Sequence, residues 1–322
     1  LSQIIIAAVY KKLFISSLIL ISVNSIILGQ QKTSAAYNSL LYFRHDNDIF
    51  KFNNQTDKYY SFGIPLGYQK LLSEQAKLLK LSPFTSSSKS KYLVGTQLYL
   101  KGFTSLENSD SIIQSSRPFA RVLALRSHIT VVNTSRLLKI GIEIGVRGPA
   151  SGAEKVQTKF HRFIDISTIP GWKNKLPNHL ITNAYGTYSI PFRLHNLVEL
   201  IPETLLALGN QNSCFQQGLI FRVGLFNDIS NSRLYNTHLG EWDKDNKEIF
   251  VTAKIFYRAV AVDAEKVGLE RLNKDNRLIG YEIKLHMQSK RFGLVLAYNQ
   301  MSSDSNFTQQ HSYGSVGMSI RI

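Results

Sequence analysis

The residues best suited to chemistry fall in the first half of the chain. Asp46-Asn47-Asp48, Ser61, Arg117, Gln157 and His161 are all polar and sit close to the ends of strand-like runs. Imidazole is the usual general base at neutral pH, so His161 is the candidate for activating a water. Gln157 precedes it by four residues, which on a helix puts the two on one face. The oxygens of Asp46-Asn47-Asp48 are hard donors, able to bind a cation or orient a water. Alone, an Asp-Asn-Asp run is a common turn, and a lone histidine is commonly a surface or hydrogen-bonded structural residue. The next strand opens on Tyr60-Ser61-Phe62-Gly63, and a hairpin between the two brings Ser61 beside Asn47 and Asp48.

Such groups need a scaffold, and the chain supplies one of period two. In 276–288, Ile279, Tyr281, Ile283, Leu285 and Met287 share one face, while Glu282, Lys284, His286 and Gln288 share the other. Phe250–Val260 repeats this, with Val251, Ala253, Ile255 and Tyr257 against Thr252, Lys254 and Arg258. Ser315–Ile322 alternates Val316, Met318, Ile320 and Ile322 against Ser315, Gly317, Ser319 and Arg321. An apolar face opposite a charged one suits lipid outside and water inside.

Twelve segments of this kind occur, near 38–46, 59–69, 91–101, 118–131, 135–147, 181–193, 195–209, 217–226, 249–264, 274–288, 290–303 and 310–322. They predict a twelve-stranded antiparallel transmembrane β-barrel with short periplasmic turns and long outer loops. Tight joins are expected at Val132–Thr134, Arg193–His195 and Ser289-Lys290, and long ones at 47–58, 70–90, 102–117, 148–180 and 227–248. A soluble β-sandwich also uses many short strands. The long uninterrupted apolar faces, and 15 Tyr with 18 Phe to supply interfacial girdles, favour the barrel.

Residues 13–23 form an apolar run after Lys11-Lys12 and read as the core of a secretory signal peptide spanning 1–30, with the barrel domain over 36–322. A membrane-anchoring helix is the other reading of that run. After residue 30 no run approaches the ~18–20 apolar residues of a spanning helix. Cys214 is the single cysteine, which excludes an internal disulfide and a cysteine zinc site; it is expected unpaired in a turn or at a rim. The charge is +16, or +14 once the two lysines of 1–30 are set aside. Such a surface favours anionic partners. No nucleic-acid-binding motif is present, so an anionic membrane surface fits better. Serine-hydrolase elbow, zincin, P-loop and dinucleotide motifs are absent. Trp242-Asp243-Lys244-Asp245-Asn246 lacks the calcium-loop pattern and reads as a solvated loop.

The ordered motifs Asp46-Asn47-Asp48-x-Phe50, Thr56-Asp57-x-Tyr59-Tyr60-Ser61-x-Gly63, Gln97-x-Tyr99, Ser116-Arg117-Pro118-Phe119-Ala120, Gly145-x-x-Gly148-Pro149, Val156-Gln157-x-x-x-His161 and Gly171-Trp172 resemble the outer-membrane lipid A 3′-O-deacylases. The resemblance covers about residues 43 to 185; beyond it only the strand pattern is shared. It implies a twelve-stranded outer-membrane barrel that hydrolyses the 3′-linked acyl (acyloxyacyl) ester of lipid A in lipopolysaccharide, aided by a divalent cation, calcium; a monomer is expected. The family's histidine base falls on His161, its Asn and Asp on Asn47 and Asp48, which would also hold the cation. Its hydroxyl residue falls on Ser61, its glutamine on Gln157 and its arginine on Arg117. The pattern departs at Ser116 (Asp in the family), Arg121 (Gly), Lys175 (Gln) and His179 (Glu), and the family's oxyanion lysine has no counterpart in 102–117, Lys101 being nearest. Another outer-membrane lipid esterase or phospholipase, and a non-enzymatic barrel or lapsed relative, remain the competing functions.

Overall fold

The computed structural model describes residues 37–47, 59–72, 90–104, 120–152, 154–156, 158–159, 177–240, 247–263, 277–302 and 311–322. Thirteen strands run in chain order: β1 Ser39–Asn47, β2 Tyr59–Leu71, β3 Lys91–Thr104, β4 Ala120–Val132, β5 Leu137–Arg147, β6 His179–Ser189, β7 Phe192–His195, β8 Val198–Gly209, β9 Asn212–Leu225, β10 Glu248–Asp263, β11 Arg277–Gln288, β12 Phe292–Met301 and β13 His311–Arg321. Except for β6 and β7, consecutive strands pair antiparallel, β1 pairs with β13, and β6 pairs with β8, so the sheet closes on itself.

The closed ring has twelve staves because β6 and β7 form one. Pro191 interrupts it: proline has no N–H to give to a ladder. β8 pairs across the break, Ser189 opposite Glu203 and Phe192 opposite Leu200. The tight join expected at Arg193–His195 therefore moves to Asn196-Leu197. Cys214 also corrects the sequence reading. It lies on β9 opposite Ala207 and Val260, buried, not in a turn. The turn is only Asn210-Gln211, closed when Asn183 Oδ1 accepts from the N–H groups of Gln211 and Asn212. A stave whose lumen face is Cys214, Gln216 and Arg222 hides its start among polar residues.

The alternation reads out as two environments. On β5, Ile140, Ile142 and Ile144 are 57%, 56% and 54% exposed, whereas Glu143 between them is 4% exposed. Exposing such side chains to water costs about 1.5–3 kcal/mol each; a bilayer removes that cost. The inner face carries charge pairs instead. Arg126 Nε donates to Glu143 at 2.9 Å, and Asn183 Nδ2 to the same carboxylate at 2.7 Å. Lys254 Nζ lies 2.6 Å from Glu203, and Lys284 pairs with Glu282. His286 stacks on Phe250 within this lumen, centroids 4.6 Å apart.

The tight turns 133–136, 196–197 and 289–291 all lie at one end, the periplasmic one by the usual arrangement of such barrels. Asn133 shapes the first, its Oδ1 accepting from the N–H groups of Ser135 and Arg136. The connections 48–58, 105–119, 148–178, 264–276 and 302–310 lie at the outer end. Two long connections, 72–90 and 226–247, join strands at the periplasmic end.

The described part of the second, 226–240, folds into the barrel mouth as a plug. Two 3-10 turns, Ile229–Asn231 and Arg233–Tyr235, carry it. Ile229 and Leu239 pack on Leu40, Leu93, Val132 and Leu137 of one wall. Arg233 reaches β11, β12 and β13, donating to Leu294 O at 3.1 Å, Gln288 Oε1 at 3.2 Å and Ser319 Oγ. Tyr235 Oη donates to Glu203 at 2.6 Å, and Lys91 Nζ to Leu239 O at 2.9 Å.

β1 and β13 stay in unbroken register from Leu40 opposite Arg321 to Asn47 opposite Gly314. A closed barrel leaves no frayed edge. The chain is therefore expected to need detergent for extraction from membranes and to migrate differently on gels before and after heating; recovery as a freely soluble periplasmic protein would overturn the barrel.

Candidate functional site

The pairing register draws the site. Asn47 at the end of β1 lies opposite Phe62 of β2, Phe62 opposite Gly102 of β3, and Gly102 opposite Arg121 of β4. These four make one row across four staves, about 14 Å wide at 4.7–4.9 Å per strand. Four residues along each strand, Phe43, Leu66, Leu98 and Leu125 form a parallel row in the same register, exposed on the lipid side. Side chains four apart on a strand share a face. The row of Asn47, Phe62, Gly102 and Arg121 thus lies on the outside wall of the barrel, at the outer end.

Its side chains are nonetheless covered: Asn47 is 8%, Phe62 5% and Arg121 2% exposed. Phe62 lies across Gly102, where a Cβ would sit 2.2 Å from its ring, so only glycine lets the ring cross that stave. Beyond Arg121 the cover is a turn and a short helix. Gly148, at φ 108°, redirects the chain after β5, and a Cβ there would sit 2.7 Å from Pro177 O. Its N–H donates to Arg121 O at 2.9 Å. A 3-10 turn follows at Pro149–Ser151, held when Asn178 Oδ1 accepts from Ala150 N–H at 2.8 Å. Helical residues come next at Glu154–Val156 and Thr158-Lys159. Arg121 Nη1 lies 2.8 Å from Glu154 Oε2.

Two of the six sequence-predicted residues, Asn47 and Ser61, fall on described backbone, on the paired strands β1 and β2. Asn47 is opposite Phe62, one residue from Ser61, which lies where β2 shifts register against β3 between Tyr60 and Phe62. Asp48, Arg117, Gln157 and His161 lie outside the described residues. Asp46 separates from its motif: it is on the lumen-facing side of β1, its carboxylate 2.6 Å from Arg44 Nε. That leaves Asn47 on the outer wall and Asp46 engaged within. Lys101 likewise turns to the lumen, with Nζ 4.7 Å from the Tyr99 ring centroid, away from the row. Among the described residues, no group of three or more His, Cys, Asp or Glu could hold a metal ion. The donor chemistry at Asn47 fits a hard cation, since an amide oxygen is a common calcium ligand.

A family profile described as outer membrane protein LpxR matches residues 13–322. The chain belongs to the LpxR family. This is the lipid A 3′-O-deacylase family to which the ordered motifs pointed, and it places the protein in the outer membrane. Among solved structures, LpxR from Salmonella typhimurium is similar with a TM-score of 0.70 at 17% identity, over 88% of this chain and 100% of that one. The β domain of the Bordetella autotransporter BrkA is similar at a TM-score of 0.46 and 10% identity, over 90% of this chain and 100% of that one. No curated protein matches the chain by sequence.

Two features of this LpxR-family chain were not read from the sequence as parts of the site. One is the Arg121–Glu154 pair; its only signal was a charged residue where the family pattern has glycine. The other is the plug, which has no periodicity and whose partners are distant along the chain.

Proposed function

We propose that this chain is a lipid A 3′-O-deacylase that takes its substrate laterally from the outer leaflet. The observation that carries the reading is the row of Asn47, Phe62, Gly102 and Arg121 on the outside wall at the outer end, a residue from Ser61. Acyl chains lying along the apolar row of Phe43, Leu66, Leu98 and Leu125 bring their ester linkage to that level. The basic side chains of a +16 chain would hold the lipid A phosphates. The plug supports an enzyme over a passive pore, since it ties the 226–240 segment to opposing walls of the lumen.

In the proposed reaction His161 takes a proton from a water whose oxygen attacks the ester carbonyl carbon. The tetrahedral intermediate collapses with cleavage of the bond between the acyl carbon and the sugar 3′-oxygen, and His161 returns the proton to that alkoxide. Fatty acid and a free 3′-hydroxyl result. Asn47, Asp48 and Ser61 orient the water, Gln157 orients His161, and Arg117 offsets the developing oxyanion charge. Asn47 and Asp48 are the residues that would hold calcium, which when bound supplies further positive charge at the carbonyl oxygen.

The test is mass spectrometry of lipid A from cells with and without the protein. Loss of the 3′-linked acyl group only in cells that carry it is the expected result. Unchanged lipid A together with phospholipid hydrolysis would replace the substrate, and unchanged lipids of both kinds would leave a non-enzymatic barrel. Asn47→Ala and Asp48→Ala are expected to lower acyl release while heat-modifiable migration persists, because Asn47 is the last residue of β1 and Asp48 follows it in the sequence. Excess chelator should reproduce their effect on the wild type; full activity in chelator removes the cation but not the two residues.

A further inference from the structure

Arg121 is a charged residue on the lipid side of a membrane barrel, where the family pattern has glycine. A cation on that wall is tolerated only where it is near the interface and paired. Arg121 is 2% exposed, and both of its ends are used. Its carbonyl accepts from Gly148 N–H at 2.9 Å, where the turn begins. Its guanidinium meets the Glu154 carboxylate at 2.8 Å, on the first of the described helical residues. One residue of β4 therefore fastens both the turn and the helical residues after it. Glycine at 121 would keep the first bond and lose the second. Gly152, at φ 71°, lies between the two, its carbonyl accepting from Lys155 N–H at 3.1 Å. Glu154 stands three residues before Gln157 and seven before His161 in the sequence.

We propose that the Arg121–Glu154 pair is a strut that fixes the helical residues Glu154–Val156 and Thr158-Lys159 on the outer wall, and that Arg121 is thereby a positioning residue for acyl release. The second half rests on the deacylase reading above; the strut itself does not. The strut substitutes side-chain charge for whatever fastening a glycine at this position permits. It acts through Glu154 and does not touch substrate.

The full-length protein in detergent micelles, with lipopolysaccharide as substrate, tests both halves. Arg121→Gly and Glu154→Gln should each lower kcat about 10- to 100-fold, the scale of a misplaced catalytic group, with KM nearly unchanged and heat-modifiable migration intact. The reversed pair, Arg121→Glu with Glu154→Arg, should recover most of the loss. Wild-type kcat in either single variant, or a reversed pair no better than the singles, overturns the positioning role. Spin labels at Lys155 and Thr134, in a Cys214→Ser background, read the strut without activity. Arg121→Gly should broaden their distance distribution and the reversed pair should narrow it; a distribution that neither variant changes overturns the strut. A wild type that releases no acyl group, with the broadening still seen, removes the deacylase reading and the positioning role while the strut stands.

Discussion

Replacing His161 with alanine is expected to abolish release of the 3′-acyl group. Removal of a general base typically costs ~10²–10⁴-fold in rate, and His161 is the histidine that falls on the family's base in the ordered motifs. Membrane insertion and heat-modifiable migration should not change, because closure depends on the β1–β13 and β6–β8 pairings. The control is His286→Ala. His286 lies in the lumen, stacked on Phe250 and with Nε2 3.4 Å from Thr252 Oγ1, on the other face of the wall from the row that contains Asn47. Its loss should leave acyl release near wild type. The outcome that sinks the proposed mechanism is a His161→Ala protein that frees fatty acid at the wild-type rate.

The architecture was legible because each stave obeys a local rule. Alternation on β10 and β11 sorts Val251, Ile255, Ile279 and Ile283 to lipid and Lys254, Glu282 and His286 to the lumen, with no knowledge of partners. The rule fails where polarity is the same on both faces: the start of β9 around Cys214 looked like a turn because Gln216 and Gln217 face opposite ways yet read alike. The site was only partly legible. That Asn47 and Ser61 are neighbours follows from a hairpin and needs no long-range information. That Asn47 and Arg121 share one row needs three successive registers, and a one-residue slip in any of them would send Arg121 to the lumen. The Arg121–Glu154 pair joins residues 33 positions apart in a contact no periodicity encodes.

The plug yields the other large expected effect. Wild-type protein in a planar bilayer should conduct little, and Arg233→Ala should open it. Arg233 is 5% exposed and its side chain bonds to Gln288 of β11, Leu294 of β12 and Ser319 of β13. Hydrogen bonds from a charged donor contribute about 1.5–3 kcal/mol each. Loss of even one shifts the ratio of closed to open plug by about 10- to 100-fold. Acidification should act in the same direction through His238. Burial holds its imidazole well below its ordinary proton affinity, and Arg321, Arg233 and Lys91 lower it further against a raising contribution from the Ser232 backbone. A released plug would bind a proton near the ordinary value of about 6.5, whereas the seated plug does not. Above that value the imidazole is neutral in both forms and leaves the balance unchanged; as pH falls below it, the released form takes up the proton and seating is progressively disfavoured. Open events should become more frequent between about pH 6.5 and 5, and His238→Gln should flatten that dependence. Arg233→Ala that stays closed at every pH would show that the remaining ties of 226–240, among them the apolar contacts on Leu40, Leu93, Val132 and Leu137 and the bonds of Tyr235 to Glu203 and of Lys91 to Leu239 O, hold the plug without Arg233.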